Sequence, residues 1–88
     1  EITKNLYYGI MNDPQVRCLQ EFLKSQGSEI YPQGLVTGNF LELTRQAVIR
    51  FQEKYKEEIL EPLGLTQGTG FVGAKTREKI NKILKNYS

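Results

Sequence analysis

Apolar residues recur at helical spacing in three stretches of the chain. The first stretch follows Asp13, which can accept hydrogen bonds from free first-turn amides, and Pro14, which suits the first position of a helix. Gly27 is well placed to end the helix, so the pattern predicts a helix over residues 14–26. The predicted core-facing stripe consists of Val16, Leu19, Gln20 and Leu23, with Phe22 at its edge.

The second stretch predicts a longer helix that starts near Leu41 or Glu42. Because a proline disfavours helical geometry in the residue before it, Pro62 places the end of this helix near Ile59 or Leu60. The positions on the predicted core face of this helix follow the helical period. They are Thr44, Ala47, Val48, Phe51 and Tyr55.

The third stretch predicts a helix over residues 74–85, with a core face made of Thr76, Ile80, Ile83, Leu84 and Tyr87. The two connections between the helices are rich in glycine and proline, which favour turns. Within these connections, Leu63 and Leu65 are expected to cover the core. Leu35 and Val36 are expected to tuck under their loop, where a short extended pairing is one option.

A turn-and-helix segment occurs twice in the sequence. Residues 37–52 return in weakened form thirty-two positions later, as residues 69–84. Each copy of an internal repeat is commonly one structural unit, so we predict two related turn–helix units that share one core. The matching pairs are Thr37 with Thr69, Gly38 with Gly70, Phe40 with Val72, Thr44-Arg45 with Thr76-Arg77, Val48 with Ile80 and Phe51 with Ile83.

These patterns predict an all-α fold: a compact three-helix domain with two related turn–helix repeats and glycine-rich connecting loops. We expect residues 1–88 to form a single domain, with a core at 13–85 and an N-terminal arm at 1–12 that packs Leu6 and one tyrosine onto it. No apolar run approaches the roughly 18 residues that would indicate a membrane span. No signal peptide is expected in these residues, which favours a mature product or a module of a longer protein.

The net charge of +2 is too small to indicate a nucleic-acid partner. The last predicted helix is nevertheless basic, because residues 75–85 carry five basic side chains and one acidic one. Its stripe of Lys75, Lys79, Lys82 and Asn86 is read either as a solvated face or as a surface for an anionic partner.

The composition argues against an enzyme. Without histidine, no Ser-His or Cys-His pair and no histidine metal site can form, and we expect neither a metal nor a cofactor. The dense carboxylates Glu57, Glu58 and Glu61 read as a solvated helix end. The lone Cys18 reads as a half-buried, inert thiol.

Two glutamines and the tyrosines allow two further predictions. Gln20 and Gln52 each follow a core residue directly, and buried amides need partners, so we expect both to bond loop backbone. Exposed tyrosines near polar turn residues would form surfaces of the kind that hold sugars or peptides.

An ordered set of motifs covers residues 13–84 and resembles the peptidoglycan-binding-like domain family. The motifs are Asp13-Pro14-Gln15-Val16-Arg17-Cys18-Leu19-Gln20, then Thr37-Gly38-Asn39-Phe40 with Thr44, Ala47-Val48 and Phe51-Gln52, and finally Gly70-Phe71-Val72-Gly73 with Thr76. Two departures stand out. Leu41 occupies a position where glycine or aspartate is common, and the segment between Gln52 and Gly70 is longer than usual.

The resemblance implies a non-catalytic module that binds the glycan or the stem peptide of peptidoglycan and anchors an envelope protein or wall hydrolase. It also implies an extracytoplasmic location in the cell envelope or wall, with other domains of a longer parent protein as possible partners. We expect the ligand groove to lie between the two turn–helix units. The predicted ligand-binding residues are Tyr31, Thr37, Asn39, Thr66, Gln67 and Thr69.

A second reading of the same fold is a protein–protein interaction or spacer module that binds no glycan. An exposed apolar patch around Tyr7 and Tyr8, or around residues 60–65, would favour this reading.

Overall fold

The structure is a computed structural model that describes residues 1–86, and all regular elements in that range are helical. The elements are α1 (Pro14–Ser25), α2 (Glu42–Lys54), α3 (Lys56–Ile59), a 3₁₀ turn (Glu61–Leu63) and α4 (Ala74–Asn86). The predicted all-α fold class is confirmed. No helix within residues 1–86 combines the length and the apolar character needed to cross a membrane.

Helix α1 begins as the sequence predicts. The Asp13 carboxylate accepts hydrogen bonds from the backbone N–H groups of Gln15 at 2.7 Å and Val16 at 3.4 Å, and Pro14 occupies the first helical position. Two of the free first-turn amides are thereby satisfied. The apolar face that follows this cap is buried.

The long second helix is predicted wrongly, because it is interrupted at Tyr55. This residue leaves helical geometry, with φ −109° and ψ 38°, and separates α2 from the one-turn helix α3. After the break, Ile59 and Leu60 are fully buried, and the 3₁₀ turn that contains Pro62 follows. The interruption therefore adds two core residues beyond the end of α2.

The core forms around α1 and α2. Phe22 and Phe51 meet edge to face with ring centroids 5.3 Å apart, and Phe51 also packs against Tyr55. The predicted core face of α2 is confirmed, with Tyr55 half-buried. On α4, Thr76 and Ile80 are buried while Ile83 and Leu84 pack at the edge; Tyr87 lies outside the described residues. Cys18 is free and half-buried against this core.

The N-terminal arm is part of the core. Ile2 is buried beside Leu6, and its backbone exchanges two hydrogen bonds with the side-chain amide of Asn81, at 2.8 and 2.9 Å. The expectation that one arm tyrosine packs onto the body is confirmed by Tyr7, whose ring stacks on that of Phe71, although Tyr7 and Tyr8 both remain exposed.

The same arm connects the two turns. Leu6 forms an isolated antiparallel bridge with Val72, through hydrogen bonds of 3.1 and 2.8 Å. A few residues later, Gly9 donates to the Phe40 carbonyl and the Phe40 N–H donates to Ile10, both at 2.8 Å. The arm thus fixes the two turns relative to each other.

Candidate functional site

The first turn is closed by a buried glutamine. The side-chain oxygen of Gln20 accepts the backbone N–H groups of Thr37 at 2.8 Å and Gly38 at 2.9 Å. Its side-chain nitrogen donates to the Asn39 carbonyl and to the Thr44 hydroxyl, each at 3.0 Å. Gln20 is only 1% exposed, so its amide serves the fold and is not available to a ligand. The predicted bonds to loop backbone are confirmed.

The second turn is closed in the same way by Gln52. Its side-chain oxygen accepts the N–H groups of Thr69 at 2.8 Å and Gly70 at 3.0 Å. Its nitrogen donates to the Phe71 carbonyl at 2.9 Å and to the Thr76 hydroxyl at 3.1 Å. Each helix after a turn is therefore tied to a preceding helix through one threonine and one glutamine.

A concavity of about 370 Å³, called here the first pocket, opens beside the first turn. It brings together three of the predicted ligand residues, Tyr31, Thr37 and Asn39. The rest of its exposed wall is mainly apolar and comes chiefly from Leu35, Leu41 and Leu43, and the lining is completed by Gln20, Glu42 and Thr44.

Each of the three predicted residues has a side-chain oxygen that already has a partner within the fold. The Tyr31 hydroxyl donates to the Leu35 carbonyl at 2.6 Å. The Thr37 hydroxyl oxygen accepts the Asn39 N–H at 3.1 Å, and the Asn39 side-chain oxygen accepts the Asn12 N–H at 2.8 Å. These residues therefore shape the pocket, and much of its free surface is leucine.

Sequence reasoning missed the three leucines. Leu35, Leu41 and Leu43 are 52%, 42% and 43% exposed, so the expectation that Leu35 tucks under its loop is wrong. One signal was present: Leu41 is the N-cap residue of α2 and provides no side-chain cap hydrogen bond. An apolar residue at a position that favours Ser, Thr, Asp or Asn indicates a role other than helix capping.

The second turn has its own, smaller concavity of about 180 Å³, called here the second pocket. Thr69 lines it with Leu63 and Leu65. Both leucines are exposed, so the expectation that they cover the core is wrong; Ile59 and Leu60 are the buried residues of this segment.

The predicted ligand residues are thus distributed over two places. Tyr31, Thr37 and Asn39 line the first pocket, whereas Thr69 lines the second. Thr66 and Gln67 are exposed in the loop that precedes the second turn.

A charged cluster borders the first pocket. The Arg45 guanidinium donates two hydrogen bonds to the Glu42 carboxylate, at 3.0 and 3.1 Å, and Gln46 donates a third at 2.7 Å. The hydrogen bond from Arg45, reinforced by that from Gln46, lowers the pKa of Glu42 below its usual value. Glu42 lines the pocket and remains ionised near neutral pH.

The basic stripe of the last helix is partly neutralised. Lys79 forms an ion pair of 2.9 Å with Glu58 and lies 4.6 Å from the centroid of the Tyr55 ring. Lys75 is 3.8 Å from Glu78. These pairs weaken the case for an anionic partner on this face.

The structure is a helical domain with two turns. Equivalent glutamines hold these turns, and the docked N-terminal arm joins them. The family described as "Putative peptidoglycan binding domain" matches residues 12–80. The chain belongs to this family, which confirms the resemblance read from its motifs and implies an association with the cell wall. Neither the curated proteins nor the solved structures gave a significant match.

Proposed function

We propose that this chain is a non-catalytic module that binds peptidoglycan and holds a longer envelope protein or wall hydrolase on the bacterial cell wall. The observation that carries the proposal is family membership over residues 12–80. The proposed location is extracytoplasmic, where the polymer is found.

The first pocket is the proposed principal site. It has about twice the volume of the second pocket, and three partly exposed leucines line a cavity whose turn is fixed by Gln20. Ligand sites commonly combine apolar walls with a few fixed polar groups. Aliphatic walls suit the methyl groups of alanine residues in a stem peptide, while Thr37 and Asn39 border the turn.

The remaining predicted ligand residues, Thr66, Gln67 and Thr69, belong to the second unit. In this proposal they contact a wall polymer long enough to extend beyond the first pocket. Thr66 and Gln67 are exposed and Thr69 lines the second pocket, which supports that role.

Co-sedimentation with purified sacculi tests the proposal. The purified chain should move into the pellet as the sacculus concentration rises and saturate there. A free fraction that stays constant at high sacculus concentration would contradict wall binding.

A second candidate is a protein-interaction or spacer module. Tyr7 and Tyr8 in the arm, together with Leu63 and Leu65 after α3, are exposed apolar side chains of the kind that favours this reading. Static light scattering over a range of protein concentrations tests self-association. A rise in molar mass without sacculus binding would favour this second candidate.

A further inference from the structure

An exposed pair of aromatic rings lies where the arm crosses the second turn. Tyr7 and Phe71 are nearly parallel, with an interplanar angle of 10° and ring centroids 5.7 Å apart. They remain 48% and 44% exposed. This pair, called here the aromatic face, includes none of the predicted ligand residues.

The backbone positions the two rings. Tyr7 follows Leu6 and Phe71 precedes Val72, and these two neighbours form the antiparallel bridge between the arm and the second turn. Successive side chains in extended backbone point to opposite sides. Because Leu6 and Val72 point into the core, Tyr7 and Phe71 lie opposite each other on the solvent side.

The support beneath the rings is rigid. The Phe71 carbonyl accepts a hydrogen bond from Gln52 at 2.9 Å, and the Phe71 N–H donates to the Thr69 hydroxyl oxygen at 3.1 Å. Leu6 and Val72 are fully buried. A surface held in this way loses little conformational freedom when it binds a ligand.

The side chain of Arg45 adjoins the turn that carries Phe71. Its stem lies over Gly70, next to Phe71 in the chain, since a Cβ on Gly70 would be 2.7 Å from the Arg45 Cγ. The Arg45 guanidinium donates two hydrogen bonds to Glu42, which also accepts one from Gln46. A sugar seated on Phe71 would therefore come next to the Arg45 side chain.

The size of the face favours a sugar over a protein partner. A tyrosine or phenylalanine side chain offers 150–250 Å², so the exposed parts of the two rings total roughly 200 Å². A stable protein–protein interface needs about 800 Å² from each partner. One or two sugar rings match the smaller area, and the electron-rich face of an aromatic ring attracts the polarised C–H groups of a pyranose.

We infer that the aromatic face binds the N-acetylated amino sugars of the glycan strand, as a site separate from the first pocket. The inference rests on the proposed function for the identity of the polymer. It assigns the sugar chain to Tyr7 and Phe71 and leaves the stem peptide to the leucine-walled pocket.

The probe is a peptide-free trimer of β-1,4-linked N-acetylglucosamine, titrated into isotopically labelled protein and followed by NMR. Chemical-shift changes should concentrate on Tyr7 and Phe71 and on the amides of Leu6 and Val72. Tyr7→Ala and Phe71→Ala should each raise the dissociation constant about tenfold, the effect of losing one stacking contact. Tyr7→Phe, which keeps the ring, should stay within about threefold of wild type.

Leu63→Ala is the matched control, because it removes an exposed apolar side chain outside the face. Slow hydrogen exchange of the Leu6 and Val72 amides, which donate the two bridge hydrogen bonds, shows in each variant that the bridge is intact. Shift changes elsewhere, equal losses in Leu63→Ala, or ring signals that change with protein concentration alone would overturn the inference. The last of these results identifies a protein-contact surface.

Sacculus sedimentation separates this inference from the proposed function. If wild type binds sacculi but not the trimer, wall binding stands and the sugar site is wrong. If it binds the trimer but not sacculi, the sugar site stands and wall anchoring is wrong.

Discussion

Gln20 and Gln52 make equivalent hydrogen bonds to two turns that lie thirty-two residues apart in the sequence. Each side-chain oxygen accepts two consecutive backbone N–H groups, and each nitrogen donates to a turn carbonyl and to a buried threonine hydroxyl. The turns beside both pockets are therefore fixed before any ligand arrives, which lowers the entropic cost of binding.

Replacing either glutamine by alanine should lower the free energy of unfolding by about 3 kcal/mol, because several buried polar groups lose their partners at once. Urea denaturation of Gln20→Ala and Gln52→Ala measures this loss. Gln33→Ala, at an exposed glutamine, is the control and should change stability by less than about 0.5 kcal/mol. Similar values for all three variants would contradict the structural role.

Two glycines at equivalent turn positions should respond differently to alanine. Gly38 and Gly70 both have left-handed backbones, with φ of +86° and +80°. A Cβ on Gly38 meets its nearest atom at 3.4 Å, whereas a Cβ on Gly70 would lie 2.7 Å from the Arg45 Cγ. Gly38→Ala should cost about 1–2 kcal/mol of backbone strain, and Gly70→Ala should cost more. Thermal melts that rank the two in the opposite order would disprove this explanation.

Protonation of Asp13 should lower the stability of the fold at acidic pH. The hydrogen bond from Lys4, at 2.6 Å, together with the Gln15 N–H, lowers the pKa of this carboxyl below its ordinary value of 3.8. A carboxyl with a lowered pKa stabilises the fold above its unfolded-state pKa, and that contribution is lost as pH falls through the folded-state pKa.

The matched variant for this effect is Asp13→Asn, because asparagine still caps a helix but carries no charge. Denaturation midpoints measured from pH 7 to pH 2.5 should decline less for the variant than for wild type. The difference should arise below about pH 4. Parallel curves for the two proteins would show that Asp13 does not contribute.

On α4, Lys79 should matter for stability and Lys82 should not. Lys79 pairs with Glu58 and lies over the Tyr55 ring, and only 14% of its side chain is exposed. Lys79→Met should therefore cost about 1 kcal/mol through the lost cation–π contact and ion pair. Lys82→Met, at an exposed position of the same helix, is the control in the same denaturation experiment. An equal effect of both variants would contradict a structural role for Lys79.

Local sequence patterns predicted the principal helices well. The Asp13-Pro14 start and the apolar period locate α1, and the same period identifies the core face of α2. The docking of Leu6 was predicted, but the break at Tyr55 and the burial of Ile2 were missed because both depend on distant contacts. Ile2, for example, is held by Asn81, which lies 79 residues away in the chain.

The candidate site was predicted only in part. Polar and aromatic character pointed to Tyr31, Thr37 and Asn39, which line one pocket. The leucines of its wall were missed because an apolar residue in a loop or first helical turn is ordinarily read as core. Apolar atoms form much of any protein surface, so burial depends on the packed structure and not on residue type alone.

The most direct test of wall binding through the first pocket compares sacculus affinity in two leucine variants. Leu41→Ala shortens the wall of the first pocket, and Leu63→Ala removes a leucine of similar exposure beside the second pocket. We predict that Leu41→Ala weakens binding to sacculi about tenfold, whereas Leu63→Ala, at the smaller secondary contact, weakens it by less than about threefold. Equal affinities for all three proteins, or a loss confined to Leu63→Ala, would contradict the account.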